Sequence, residues 1–213
     1  MDETPVERGL AAIVAADVVG YSRLMEAHEE RTLAALKQHR REFIDPAIER
    51  YGGRIFKVMG DGMLVEFGSV LNAARCAIEI QRGMLDRNAG IPPDRHIRFR
   101  IGMNVGDLIV DGDDFYGDGV NVAARLESLA PPGGISCSAV VRTQFGNRID
   151  VGLIDQGEKV LSRRQRRGFA RHEPNMGGGA RGRRARPPLR RPLRGLRAVS
   201  PARTGGLLVH GRR

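Results

Sequence analysis

The 213-residue sequence predicts an α+β fold of ferredoxin-like type, a mostly antiparallel sheet with helices on one side of it. Three observations lead there. Short β-rich runs and amphipathic runs follow one another in the order strand, helices, hairpin, helix, strand, strand, helix, strand. Two apolar arms, Ile55–Met59 and Met63–Phe67, flank Gly60-Asp61-Gly62, the pattern of a hairpin with a glycine turn. Glycine and proline clusters, Gly52-Gly53 and Pro131-Pro132-Gly133-Gly134, punctuate the runs where helices should stop.

Gly9–Ala16 is a nearly continuous apolar run and reads as a central strand buried on both faces, ending at Asp17. The following Val18-Val19-Gly20-Tyr21-Ser22 lies where backbone N–H groups can turn outward toward an anion. Asp17 itself fits either a helix cap or turn residue, or a ligand at a strand end. From Glu29 to Tyr51, Leu33, Leu36, Phe43, Ile44 and Ile48 recur at helical spacing, with Pro46 as a kink or break. In the hairpin that follows, Asp61 occupies the tip. Lys57 sits inside the first arm, where a solvated lysine and a functional one are both compatible with the pattern.

Ser69 is an N-cap for a helix over 70–85 whose inner face is Leu71, Ala74, Ile78 and Leu85, with Cys76 packed within or beside it. After the Ile91–Asp94 loop, Ile97, Phe99, Ile101 and Met103 alternate with polar residues in strand fashion. Leu108–Val110 is a second short strand after Gly106-Asp107, and Asp111–Asp114 an acidic turn. Asp118 or Gly119 starts a helix on which Asn121 and Arg125, four apart, share a side. Ile135–Ser138 is a strand, Ala139–Phe145 a short helix, and Val151–Leu161 the start of a last hairpin.

Charge separates the chain into parts. Residues 161–213 hold 16 of the 35 Lys and Arg and a single acidic residue, Glu173, a net of +15, whereas 1–160 carries 19 basic against 24 acidic groups, a net of −5. The division expected is a short extension over 1–7, a globular domain over 8–161 and an Arg/Gly/Pro-rich tail over 162–213. The tail reads as disordered, as a tether to an anionic surface, or as an altered reading frame. Interruption of the strand pattern and a composition like that of translated GC-rich DNA favour the last, which translation of all three frames would test.

Two cysteines, Cys76 and Cys137, make no disulfide framework, and no run approaches the ~20 apolar residues of a membrane span. A cytoplasmic protein with reduced thiols is expected. The five histidines (His28, His39, His96, His172, His210) are scattered, so nothing indicates zinc. Asp17 and Asp61 are different. Antiparallel pairing of their strands could bring the two carboxylates together, and such a pair suits Mg²⁺, which keeps waters and accepts phosphate oxygens.

Three stretches in this order carry a resemblance: Ala-Ala-Asp17-Val-Val-Gly-Tyr-Ser, Phe-Lys57-Val-Met-Gly-Asp61-Gly and Asp114-Phe-Tyr-Gly-Asp-Gly-Val-Asn121-Val-Ala-Ala-Arg125-Leu-Glu. Together they resemble the catalytic domain of class III nucleotidyl cyclases, most like bacterial adenylate cyclases, over about 8–161. The resemblance implies the nucleotidyl cyclase fold and conversion of ATP to cyclic AMP and pyrophosphate. Asp17 and Asp61 would hold two Mg²⁺ or Mn²⁺ ions, and backbone groups of Val18, Val19, Gly20, Tyr21 and Ser22 would contact the phosphates. Lys57 and Asp114 would select adenine, Asn121 would orient the ribose, and Arg125 would stabilise transition-state charge. It also implies a homodimer whose sites straddle the interface, with the metal carboxylates Asp17 and Asp61 from one subunit and the base-selecting, ribose and arginine residues, Lys57, Asp114, Asn121 and Arg125, from its partner.

The match departs from the family after Leu161, where a phosphate-binding lysine is expected and Ser162-Arg163-Arg164 stands instead. Arg163 is the available substitute. Alternatives of other classes therefore stay open: a catalytically silent cyclase-like regulatory or dimerisation domain, and a nucleic-acid binder using the tail. The last lacks aromatic interleaving, so a nucleic-acid partner is not expected. A guanylate cyclase would require different residues at Lys57 and Asp114.

Overall fold

The computed structural model describes residues 7–111, 114–149, 151–152, 154–155 and 197–199. Its sheet is built around β1, Glu7–Val18. Ala12–Ala16 of this strand are buried on both faces, as their apolar run predicts, because the strand is central and helices cover the sheet on either side of it. On one side β3 (Gly62–Phe67) pairs antiparallel with Ala12–Ala16, and on the other β4 (Phe99–Asp111) pairs along the whole of β1. Gly9 and Leu10 are exposed instead, since β3 stops short of them.

The hairpin of β2 (Gly53–Met59) and β3 forms as predicted, closed by Gly60-Asp61, with Gly60 at φ 60°, the left-handed region that favours glycine. Arg54 faces Glu66 across it in a 2.6 Å ion pair, and the register slips by one residue between Ile55 and Lys57. The full order among the described strands is β2-β3-β1-β4-β6-β8-β7, with β5 (Asp114–Tyr116) on β4. Here β6 is Ile135–Cys137, β7 Ile154–Asp155 and β8 Arg197–Val199, and only the β4–β6 pairing is parallel. Three residues of the Arg-rich tail thus lie in the sheet. The rest of the tail is outside the described residues.

Two expectations about strands and helices change. The runs over Ile97–Met103 and Leu108–Val110 join in one 13-residue strand that begins at Phe99, because β1 offers pairing partners straight past Gly106-Asp107. The first helix, α1, spans Tyr21–His39 and begins eight residues before the expected Glu29. His28 breaks it with φ −157°, ψ 72°, so regular periodicity starts only beyond that point. A π-helical turn over Arg40–Ile44 then leads into α2, Asp45–Arg50, placing the irregularity directly before Pro46.

In α3, Val70–Arg87, Ser69 caps the first turn by accepting from the Asn72 amide. Its buried face is Ala73, Ala74, Cys76, Ala77, Ile80 and Met84. Leu85, expected inside, is 55% exposed, because small alanines rather than leucines define the side that packs on the sheet. The remaining helices are α4, Asp118–Leu129, and α5, Ala139–Phe145, each close to its predicted limits.

The layers correct the expectation that all helices share one side. α1, α2, α3 and α5 pack with Val14, Val65 and Ile101 in the main core, whereas Ala123 and Ala124 of α4 pack with Ile13, Ala15 and Leu64 on the opposite face. β4 makes this possible. A Cβ on Gly102 would stand 2.1 Å from Ala123 O and from the Glu127 amide, so only glycine there lets α4 lie against the strand.

Candidate active site

Asp17 and Asp61 meet at the end of β1. Asp17 lies on the α4 side of the sheet, two residues after Ala15, while Asp61 is at the tip of the β2–β3 turn beside it. The approach is close: a Cβ on Gly62 would stand 3.2 Å from Asp17 Oδ1. The two carboxyl groups are in hydrogen-bonding contact, and burial first, then the Asp61 charge and this hydrogen bond, push Asp17 up from 3.8 to about 6. The sequence-based expectation that strand pairing joins these two residues is met.

Two more charged side chains belong to the site, and sequence reasoning missed both. Arg100 is directly opposite Asp17 in the β1–β4 register, and its charge favours the ionised form of Asp17. Its Nε is buried without a hydrogen-bond partner. Glu127 is 4% exposed under α4; burial first, then the Asp17 charge, raises its carboxyl from 4.5 to about 7, against the pull of Arg100. Strand alternation around Arg100, and the Arg125-Leu-Glu127 sequence beside a residue already singled out, were the available signals.

Of the expected Val18–Ser22 stretch, the helix start leaves amides without backbone acceptors, whereas those of Val18, bonded to the Asp17 carboxyl, and Val19 are engaged. Gly20 starts α1 at φ 67° and no side chain caps the helix, so the amides of Tyr21 and Ser22 in its first turn lack intrahelical acceptors. The Val19 amide is engaged, donating to Arg98 O at 2.8 Å. Val18 is buried and pairs with Phe99.

Lys57 is exposed and pairs with Leu64, which places it on the α4 side with Asp17. Asp114 opens β5 opposite Asp111; in the sheet order β3, β1 and β4 separate its strand from that of Lys57. Asn121 is exposed, its Nδ2 donating to Gly117 O at 3.5 Å, and Arg125 is half-buried one turn later. On α4 the sheet-facing positions are Ala123, Ala124 and Glu127, so Asn121 lies on the outer side. The cation acting on Asp17 within the chain is Arg100, not Arg125.

The donor set fits a hard divalent cation. Among the described residues no group of three or more His, Cys, Asp or Glu is arranged to hold a metal ion, so the Asp17–Asp61 pair leaves most coordination positions to water or phosphate oxygens, as Mg²⁺ and Mn²⁺ require. A pH signature follows. Asp17 and Glu127 both titrate higher in the folded chain than an ordinary carboxyl, so they favour the fold fully below about pH 4, and that contribution disappears as pH rises through 6 to 7. Metal-free protein should therefore lose stability across this interval as far as these groups decide it. Added Mn²⁺ should raise Tm at pH 8 and have little effect at pH 5, which thermal melts at the two pH values would check.

Comparison with known proteins places this geometry. A family model described as the adenylate and guanylate cyclase catalytic domain matches residues 6–161. A Rhizobium meliloti protein named "Putative adenylate cyclase 3" is 40% identical over 210 residues, covering 94% of this chain and 35% of its own length. An adenylate cyclase of Glutamicibacter nicotianae is 34% identical over 137 residues, 64% of this chain and 32% of that protein. This chain thus spans about a third of these relatives. A crystal structure of an adenylate/guanylate cyclase/hydrolase from Silicibacter pomeroyi superposes with a TM-score of 0.76 at 38% identity, covering 93% of this chain and all of that one. At 22% identity, an adenylyl cyclase from P. aeruginosa shares the fold, with a TM-score of 0.67. No helix among the described residues is long and apolar enough to cross a membrane. With Asp17 and Asp61 joined on this fold, the chain belongs to the adenylate and guanylate cyclase catalytic domain family.

Proposed function

We propose that the chain is the catalytic domain of an adenylate cyclase, converting ATP to 3′,5′-cyclic AMP and pyrophosphate at sites shared by two copies of itself. The observation that carries this reading is the contact between the Asp17 and Asp61 carboxyls, beside a buried, unpartnered Arg100 Nε. Two divalent cations, Mg²⁺ or Mn²⁺, held by these carboxylates would lower the pKa of the ribose 3′-hydroxyl and neutralise the triphosphate.

The chain's own groups supply the rest. Uncapped amides of Tyr21 and Ser22 bind phosphate oxygens, with Val18, Val19 and Gly20 shaping the turn. Arg100 Nε is a further donor on the same side of the sheet. The 3′-oxygen attacks the α-phosphorus in line, forming the new ester bond as the bond to pyrophosphate breaks, and the hydroxyl proton passes to solvent. Asn121 holds the ribose for that attack, and Arg125 carries the charge that builds on the α-phosphate.

Asn121 stands on the outer side of α4 while Asp17 and Asp61 lie beneath it, which supports assigning the two sets to different copies. A two-fold homodimer then builds two equivalent sites. Lys57 donates to adenine N1 and Asp114 accepts from the 6-amino group; guanine reverses both patterns. Lys57→Ala should therefore narrow the preference for ATP over GTP by at least about tenfold, read from kcat/KM for each nucleotide.

Purified protein with Mn²⁺ and either ATP or GTP tests the proposal. Cyclic AMP should form, with cyclic GMP far below it and neither product from the Asp61→Ala control. No cyclic nucleotide from a well-folded dimer would favour the silent-domain alternative; cyclic GMP in excess would overturn the substrate assignment.

A further inference from the structure

Thr32 makes a hydrogen bond that a regular helix forbids. Its hydroxyl donates to Leu24 O at 3.0 Å, eight residues back in α1, and both residues are buried. Eight residues of straight α-helix span about 12 Å along the axis, far beyond the reach of a threonine side chain. The bond exists because the chain leaves helical geometry at His28. The segment from Tyr21 to Ala27 is thereby set at an angle to the body of the helix, and Thr32 ties its carbonyl end down.

That segment carries the Tyr21 and Ser22 amides. Within it the Leu24 amide makes the first-turn helix bond to Gly20 O at 3.1 Å, and the Leu24 carbonyl takes the Thr32 hydroxyl from beyond the break. Leu24 is thus gripped at both its amide and its carbonyl, and its side chain is 4% exposed in the main core. From this geometry we infer that Thr32 is a positioning residue: it fixes the direction in which the first-turn amides of α1 meet the triphosphate. The inference rests on the proposed cyclase reading, in which those amides bind phosphate.

Thr32→Val keeps the shape and removes the donor; Thr32→Ser keeps the donor and removes a methyl group. Binding of Mn²⁺-pyrophosphate, measured by calorimetry, should weaken about tenfold in Thr32→Val and return to within about twofold of the original in Thr32→Ser. The KM for ATP should rise in parallel with kcat changed much less, while inhibition by adenosine, which has no phosphate, stays unaltered. Equal weakening of pyrophosphate and adenosine, or a lower Tm with pyrophosphate binding intact, would make Thr32 a stability residue only and overturn the inference. Failure of the cyclase reading looks different: the unmutated chain would then bind Mn²⁺-pyrophosphate no better than Asp61→Ala does, and the role assigned to Thr32 would fall with it.

Discussion

Asp61→Ala is expected to reduce cyclic nucleotide formation by at least about 10²–10³-fold while raising the Tm of the metal-free protein. The first effect is the loss of an electrostatic group on which the metal site depends. The second follows from the contact itself: at pH 8 two carboxylates in hydrogen-bonding proximity repel, and the Asp61 charge is among the causes that raise Asp17. Removing one partner leaves Asp17 facing the Arg100 cation, with Glu127 as its remaining acidic neighbour. Relief worth about 1 kcal/mol would appear as about 2–4 °C in a thermal melt of a domain this size. Lower activity with higher stability is the mark of a pair kept for chemistry rather than for folding. A variant less active and also less stable would assign the pair a structural role.

The second large effect is steric. Gly102→Ala is expected to destabilise the fold by about 3 kcal/mol or more, because the added methyl would meet the backbone of α4 at both Ala123 O and the Glu127 amide. Backbone cannot yield as the end of a side chain can, so α4 must lift from β4. Asn121, Arg125 and Glu127 all ride on that helix, and activity should fall with stability. By contrast a Cβ on Gly9 meets nothing within 4 Å, so Gly9→Ala should leave both unchanged. Circular dichroism melts of the two variants would separate close packing from a generic glycine effect.

Much of this was readable from residue order, for identifiable reasons. The Gly60-Asp61-Gly62 turn, the Ser69 cap and the buried half of β1 are local signals, and each formed where the chemistry of its residues directs. Signals failed where a partner overrode them. Gly106-Asp107 looks like a turn but lies within β4, since Ala11 and Leu10 of β1 pair opposite it. Leu85 looks like core but faces out, because Ala73, Ala77 and Met84 fit the sheet better than a leucine stripe does.

The site divides the same way. Asp17 and Asp61 were visible because one ends an apolar strand and the other tips a hairpin, positions with few structural uses for a carboxylate. Arg100 was hidden as one of several polar residues alternating along a strand, and its meaning comes only from the register that sets it against Asp17. Glu127 sits one turn of α4 from Ala123 and Ala124, and nothing local announces that it points inward at 4% exposure. The fold supplies that information through Gly102.

Mixing Asp17→Ala chains with Arg125→Ala chains tests the central claim most directly. In a mixed dimer one site carries both defects and the other neither, so random pairing of two inactive proteins should restore about a quarter of the original cyclase activity. Activity that stays at the level of either variant alone, with mixed dimers demonstrated by differential tagging, would contradict a site shared between two copies.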